Sequence, residues 1–419
     1  MKIEKLILAA LLSAACLTLA ACSNNTTKAS DATLGIHSLR QIVAQNNKTA
    51  RTLMWQANTK SAFTIEYREK NAQTKNVTAK EISFKEANGN YIQYEGRLTN
   101  LKPGASYEYR ITSKNEKGAW HELKTDDGKN FTALIFPDSQ SSDYSGWTQL
   151  VRAAQKRNPK ASFYINMGDL VDNGQDAKQW KAWFESVEPF SDKIPLAPII
   201  GNHEAYSLDW KACLPVAYTH LFSTPTNGLP EKYPNQFYSF DYGNVHFTVI
   251  DTNFWDEVKD FQPQLADDQL AWLEKDLANA KAKWKIVLQH RDIIMYGFSP
   301  ASGRPQRETY FNRYGKLLMP IYEKYQVDAV LSAHLHTYRR RLPFLNFEPN
   351  DKGITYILTG VAGNVRYPKL WCTDYKWDAA LAPQPETANY MTMQAGENEI
   401  TFHAFLEDGK EFDSVTIKK

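Results

Sequence analysis

The stretch Ser162-Phe163-Tyr164-Ile165-Asn166-Met167-Gly168-Asp169-Leu170-Val171-Asp172 decides how the chain is read. Its first half is a short apolar run, the pattern of a strand covered on both faces, as in a parallel sheet. Its second half leaves the strand through a glycine and reaches two carboxylates, Asp169 and Asp172. In layered α/β domains, ligand sites gather at the carboxyl ends of strands, so an acid in that turn is placed to bind something. An isolated acid there can equally cap a helix, and the stretch alone carries no function.

The same grammar recurs on both sides. Buried-strand candidates are Phe131 to Phe136, Ser162 to Met167, Pro195 to Ile200, Val245 to Ile250, Lys285 to Leu288 and Val327 to Leu331. Between them, Gln179 to Val187 places Trp180, Trp183, Phe184 and Val187 at helical spacing, and Asp267 to Ala282 does so with Leu270, Leu273 and Leu277. Strand candidates return after Gly353, with Ile354 to Leu358 and a terminal hairpin through Ile400 to Phe405 and Phe412 to Ile417. Several of these runs lead directly into possible metal ligands: Asp138 in FPDSQ, Asp169 in MGDLVD, Asn202 and His203 in GNHE, His290 in LQH, and His334 with His336 in SAHLH. Four of the nine histidines fall in this set; His37, His121, His220, His246 and His403 lack such context and read as structural or surface residues.

Upstream, Thr33 to Asp127 shows short alternating strands, such as Ala50 to Trp55, Phe63 to Arg68, Tyr91 to Leu98 and Tyr107 to Thr112, between polar turns. This predicts an all-β sandwich over residues 33–128, followed by an α/β domain over 129–419. Leu101-Lys102-Pro103-Gly104 with Tyr107 resembles the L-x-P-G-x-x-Y signature of fibronectin type III domains, which implies a tyrosine hydrogen-bonding back to the chain at a corner. The sandwich holds no paired carboxylates or histidine cluster, so catalysis is expected elsewhere.

Lys2 and Lys5 precede an apolar stretch from Leu6 to Ala21, too short and rich in small residues for a spanning helix, and read as an export signal over 1–21. Leu19-Ala20-Ala21-Cys22 resembles the lipobox of bacterial lipoproteins, which implies acylation of Cys22, a polar tether over 22–32, and an exported protein anchored to a bacterial membrane. An ordinary signal cleaved nearby is the alternative. The net charge of +2 over 419 residues gives no footprint for nucleic acid. Outside the reducing cytosol, Cys213 and Cys372 either pair as a disulfide or stay as separate thiols.

As an ensemble, D-x-(H/Q), GDxxD, GNHE, a strand-terminal His and (G/A)HxH resemble the calcineurin-like metallophosphoesterases, from about Phe131 to Lys419. Asp268-Gln269, Trp272-Leu273 and Asp276-Leu277, with Tyr338 and Arg340, resemble the purple acid phosphatase branch, which also carries a fibronectin-like domain first. The resemblance implies a four-layer α/β/β/α domain and two metal ions, drawn from Fe, Mn or Zn. It implies that Asp169 bridges both, that Asp138 and His336 hold the first, and that Asn202, His290 and His334 hold the second. Asp172 would stand behind them and orient an imidazole, and His203 would act either as general acid or as a fixed positive charge.

Two positions depart from the pattern. Gln140 stands where the general family has His, offering a weaker, harder amide oxygen to the first metal, and Asp172 stands where purple enzymes have Tyr. Arg291-Asp292 after His290 is a further, smaller departure. The implied activity is hydrolysis of a small phosphate ester, a monoester foremost, with a phosphodiester or nucleotide as the alternative. An anchored binding or adhesion module with a decayed centre is the competing reading from another class. Loops at Ala205 to Gly228, Phe254 to Gln264 and Ile293 to Arg307 are expected to set specificity, with Tyr206, Trp210, Trp255 and Tyr296 either lining a pocket or packing.

Overall fold

Strands Phe131–Phe136, Phe163–Asn166 and Leu196–Pro198 run parallel, side by side, at the middle of a ten-stranded sheet. The computed structural model describes residues 31–114, 116–229 and 231–419. The export signal, Cys22 and all of the tether except Asp31 and Ala32 lie outside the described residues. Among the described residues, no helix is long and apolar enough to cross a membrane.

The second, seven-stranded sheet contains the parallel run Val245–Ile250, Trp284–Gln289, Ala329–Ser332 and Thr355–Thr359. Ala133, Ile135, Phe163 and Ile165 of the first sheet share a core with Phe247, Val249, Ile286, Leu288, Leu331 and Ile357 of the second. Both strand faces are therefore apolar, which is why these segments lack alternation. Helices Ser145–Arg157 and Ala177–Ser191 cover the outer face of the first sheet through Trp147, Leu150, Trp180, Trp183 and Val187. Leu265–Asn279 and Arg313–Lys324 cover the second through Leu273, Leu277, Leu318 and Tyr322. The Asp176 side chain caps Ala177–Ser191 by accepting the Lys178 amide at 2.9 Å. The result is the expected α/β/β/α layering.

The N-terminal region packs two sheets around Leu53, Trp55, Phe63, Ile65, Tyr94, Tyr109 and Ile111. Tyr107 takes the corner role, its hydroxyl accepting the Lys102 amide at 2.9 Å. One of these sheets continues into the α/β domain. Ile36–Ile42 pairs in parallel with Leu196–Pro198 at Ile42 and Leu196, and Val43 donates its amide to the Leu196 carbonyl at 3.0 Å, so the first sheet runs through the domain boundary. The seam is fastened again by His121, held between Asp31 (2.8 Å) and Asp192 (2.7 Å).

Some elements depart from sequence expectation. Tyr338–Arg341, which is not among the strand candidates, is a strand whose Arg339 and Arg341 are buried and paired with Asp378 and Asp292. Asn389–Ala395 and Tyr238–Tyr242 are additional strands, and Asn389–Ala395 joins Phe131–Phe136 to the terminal hairpin. The disulfide considered between Cys213 and Cys372 is not formed. Both thiols are free: the Cys213 amide is bonded to the Ala205 carbonyl, whereas Cys372 is bonded to Gly297 in a different loop.

Candidate metal centre

The carboxyl ends of the two parallel runs deliver the candidate ligands to one place. Phe131–Phe136 leads to Asp138, Phe163–Asn166 to Asp169, and Leu196–Pro198 to Asn202 and the short 3-10 helix His203–Ala205. From the other sheet, Trp284–Gln289 leads to His290, and Ala329–Ser332 to His334 and His336. Asp169, His334 and His336 adopt positive φ of 46°, 75° and 51°. Such backbone costs a non-glycine residue on the order of 1–3 kcal/mol and persists only where the surroundings enforce it. Close approach explains the flanking glycines: a Cβ on Gly168 would lie 2.5 Å from His290 Nδ1, and one on Gly201 would lie 2.1 Å from Asp169 Oδ1.

His290 Nε2 lies 3.1 Å from Asp169 Oδ2, 3.1 Å from Asn202 Oδ1 and 3.9 Å from Asp138 Oδ1, while His336 Nε2 lies 3.7 Å from Asp138 Oδ1. Ligand atoms of Asp169, His290 and His334 form one cluster, and those of Asp138, Asp169 and His336 another, each within 4.8 Å. Asp169 belongs to both. His290 Nδ1 donates to the Met167 carbonyl at 3.0 Å and His336 Nδ1 to the Val365 carbonyl at 2.6 Å, so each turns its Nε2 inward. His334 is reversed: its Nε2 faces Arg291 Nη1 at 3.1 Å, which leaves Nδ1 for the centre.

Burial, reinforced by the neighbouring Asp169 charge, pushes the Asp138 carboxyl well above its ordinary range. Burial pushes Asp169 the same way, but His290, His203 and His334 together hold it well below. Burial opposes the charging of His290, yet Asp169 and Asp138 raise it to about 9, while burial lowers His336 to about 4. Paired buried carboxylates ringed by inward-facing imidazole nitrogens are a donor set for cations, and oxygen with imidazole suits Mn, Fe or Zn. Gln140 Oε1 is buried at this place without a hydrogen-bond partner among the described residues, an acceptor that a cation would satisfy. The residues fit a dinuclear metal centre.

His203 stands at the edge, its backbone amide donating to Asp169 Oδ1 at 2.8 Å. Asp172 meets His203, chiefly through its main chain: His203 Nδ1 donates to the Asp172 carbonyl at 2.7 Å, with the carboxylate oxygen 3.6 Å away. His203 Nε2 is thereby left toward the centre, 3.4 Å from the Gln140 amide nitrogen, which also lies 3.5 Å from Asp172 Oδ1. Arg291 and Asp292 lock their loop: Arg291 pairs with Glu257 at 2.6 Å, and Asp292 accepts from Arg341 Nη1 at 3.1 Å and Ser332 at 2.6 Å. Of the loop aromatics, Tyr296 is buried, Tyr206 and Trp255 are half-buried, and Trp210 is exposed.

One residue of the centre escapes sequence reasoning. Glu204, the last letter of GNHE, is buried, and its carboxylate accepts the backbone amides of Asp169, Leu170, Val171 and Gly201 at 3.0, 2.8, 3.3 and 2.7 Å. Adjacency to Asn202 and His203 was its only signal. Asn253 adds a similar brace, donating to the Gly201 carbonyl at 3.0 Å.

Residues 121–338 match the family described as calcineurin-like phosphoesterase, and residues 38–125 match the purple acid phosphatase N-terminal domain. Acid phosphatase type 7 of Mus musculus is 26% identical over 305 residues, covering 65% of this chain and 66% of the relative. A protein of Arabidopsis thaliana named probable inactive purple acid phosphatase 9 is 24% identical over 380 residues, covering 77% of this chain and 56% of the relative. The chain thus spans less than two thirds of either relative's length. The structure of a purple acid phosphatase from yellow lupin seeds superposes with a TM-score of 0.75 at 18% identity, over 92% of this chain and 74% of that one, which establishes a shared fold.

Proposed function

Since the chain belongs to the calcineurin-like phosphoesterase family, we propose that it hydrolyses phosphate esters, monoesters foremost, at the centre built on Asp138, Asp169, Asn202, His290, His334 and His336. The single observation that carries this reading is the sharing of Asp169 between two ligand clusters. In it, Asp138 and His336, with the Gln140 amide oxygen, would hold one ion, Asn202, His290 and His334 would hold the other, and Asp169 would contribute to both. Bound there, two cations would supply Lewis acidity and neutralise charge on the phosphoryl oxygens.

The chain's own groups do the rest. The Asp169 oxygens are separately engaged, Oδ1 by the His203 amide and Oδ2 by His290, which fixes the carboxylate plane. His203 Nδ1–H is committed to the Asp172 carbonyl, so the proton that the ring gains and loses is on Nε2. As a water oxygen bonds to phosphorus and the ester P–O bond breaks, that Nε2 proton passes to the leaving oxygen, and the proton the water gives up to solvent replaces it. General acid catalysis of this kind contributes on the order of 10² to 10⁴ in rate.

Export and lipid anchoring through Cys22 would place this activity on the outer side of a bacterial membrane. A binding module with a decayed centre remains the second reading, favoured by the relatives whose names call them probable inactive. The test is hydrolysis of an aryl phosphate and of a bis-aryl phosphate by protein reconstituted with Mn, Fe or Zn. Turnover with preference for the monoester is expected; preference for the diester would reverse the substrate assignment, and no turnover with any metal would favour the binding module.

A further inference from the structure

All of the chain's 11 tryptophans lie among the described residues, and ten are buried or half-buried. Trp210 is 55% exposed. It occupies the tip of a tight turn closed by the Tyr206–Ala212 bridge, and its φ is +62°, a conformation rare for a bulky side chain. The turn enforces this backbone. Trp210 donates to the Ser207 carbonyl at 2.8 Å, Ser207 to the Lys211 carbonyl at 2.8 Å, and the Lys211 amide to Ser207 Oγ at 3.1 Å. The turn is in turn tied to the loop that carries Asp169: Asn173 donates to the Ser207 carbonyl at 2.7 Å, and Gly174 to the His203 carbonyl at 2.8 Å.

This scaffold sets the indole 6.0 Å from the His203 ring, edge to face, and 6.2 Å from the Tyr206 ring, which is itself 5.4 Å from His203. An apolar ring kept in water by a rigid, strained turn adds nothing to the core. Its ring contacts are to Tyr206 and to the imidazole that faces the departing group.

We infer that Trp210 is a specificity platform on which a planar, aromatic leaving group of the phosphate ester stacks, so that the preferred substrates carry an aryl or nucleobase ring close to the ester oxygen. The inference rests on the hydrolase reading and on His203 lying on the leaving-group side. Aromatic rings in offset contact are favoured over equally large saturated ones because the negative face of one ring meets the positive edge of the other, an advantage of about threefold to tenfold in affinity.

Binding separates the platform from the chemistry. Benzylphosphonate and cyclohexylmethylphosphonate, which cannot be hydrolysed, are titrated by calorimetry into the metal-reconstituted full chain and into Trp210→Phe and Trp210→Ala. Wild type should bind the benzyl compound at least about threefold tighter, Trp210→Phe should keep most of that ratio, and Trp210→Ala should bring it to about one. The same ratio in all three proteins, or no binding of either phosphonate, would overturn the inference. The kcat/KM ratio of adenosine 5′-monophosphate to ribose 5-phosphate, measured in parallel, identifies the ring: loss of this ratio in Trp210→Ala assigns a nucleobase, and loss of the benzyl ratio alone assigns a simple aryl group. Discrimination in binding with no turnover of any ester would contradict the hydrolase and leave the platform standing, whereas turnover without discrimination would do the reverse.

Discussion

Glu204 holds the backbone of Asp169: one carboxylate oxygen accepts the Asp169 amide at 3.0 Å, while the other takes the next two amides of the same turn. Asp169 is thus positioned by a second buried acid that is not part of the ligand clusters. Burial, with the nearby Asp169 charge, pushes Glu204 up to about 7. Glu204→Gln would turn an NH₂ group toward amide donors and loosen the turn. Metal affinity is expected to fall about 10- to 100-fold, as for other residues that orient ligands. An unchanged metal titration in the folded variant would remove this role.

His203→Gln separates two roles for the imidazole. Glutamine keeps hydrogen-bonding capacity but cannot deliver the proton from Nε2, so alkyl phosphates should lose about 10²- to 10⁴-fold in kcat/KM while nitrophenyl phosphate loses far less. Equal losses for good and poor leaving groups would assign His203 an electrostatic function instead.

The residue that stands three after Asp169 is an aspartate, and its carboxylate lies by Gln140. An iron-loaded sample should therefore show no intense visible charge-transfer band. A purple colour would mean that a phenolate has entered the centre, and Tyr367, whose ring is 4.9 Å from that of His336, would be its source.

Stability should carry its own pH signature. His121 lies between Asp31 and Asp192, and His246 between Asp241 and Asp276. Burial opposes their charging, but the paired carboxylates raise both to about 9 from an ordinary 6.5. A raised histidine stabilises the fold fully below the unfolded value and loses that contribution as pH rises through the folded one. The Tm of wild type should fall between pH 6.5 and 9, and that of a His121→Gln, His246→Gln double variant should fall much less. Parallel decreases would show that these clamps do not control the slope.

How far a residue's role is legible in the sequence depends on where its partners lie. The strand ends carrying Asp138, Asp169, His290 and His334 stand out because apolar runs end abruptly in polar residues. The layered fold was legible for the same reason. Glu204 was not, because its partners are main-chain amides of a turn 33 to 35 residues earlier and leave no pattern in side chains. Tyr338–Arg341 resists reading because its three arginines are paired with Asp378, Asp413 and Asp292, far along the chain. Ser145–Arg157 carries a helical spacing in Trp147, Leu150, Val151 and Ala154, diluted by Thr148, Gln149 and Arg152 between them. The sheet's passage through the domain seam depends on Ile42 meeting Leu196, a register that no local pattern encodes.

If Asp169 joins two metal sites into one hydrolytic centre, metal content and activity should depend on it together. The most direct measurement is metal stoichiometry, by elemental analysis of reconstituted protein, alongside turnover of an aryl phosphate in wild type and Asp169→Asn. Wild type should hold about two ions per chain and turn over the ester, and the variant should lose both. Near-normal turnover and metal content in Asp169→Asn, or a wild type that holds less than one ion and turns nothing over, would contradict this role of Asp169.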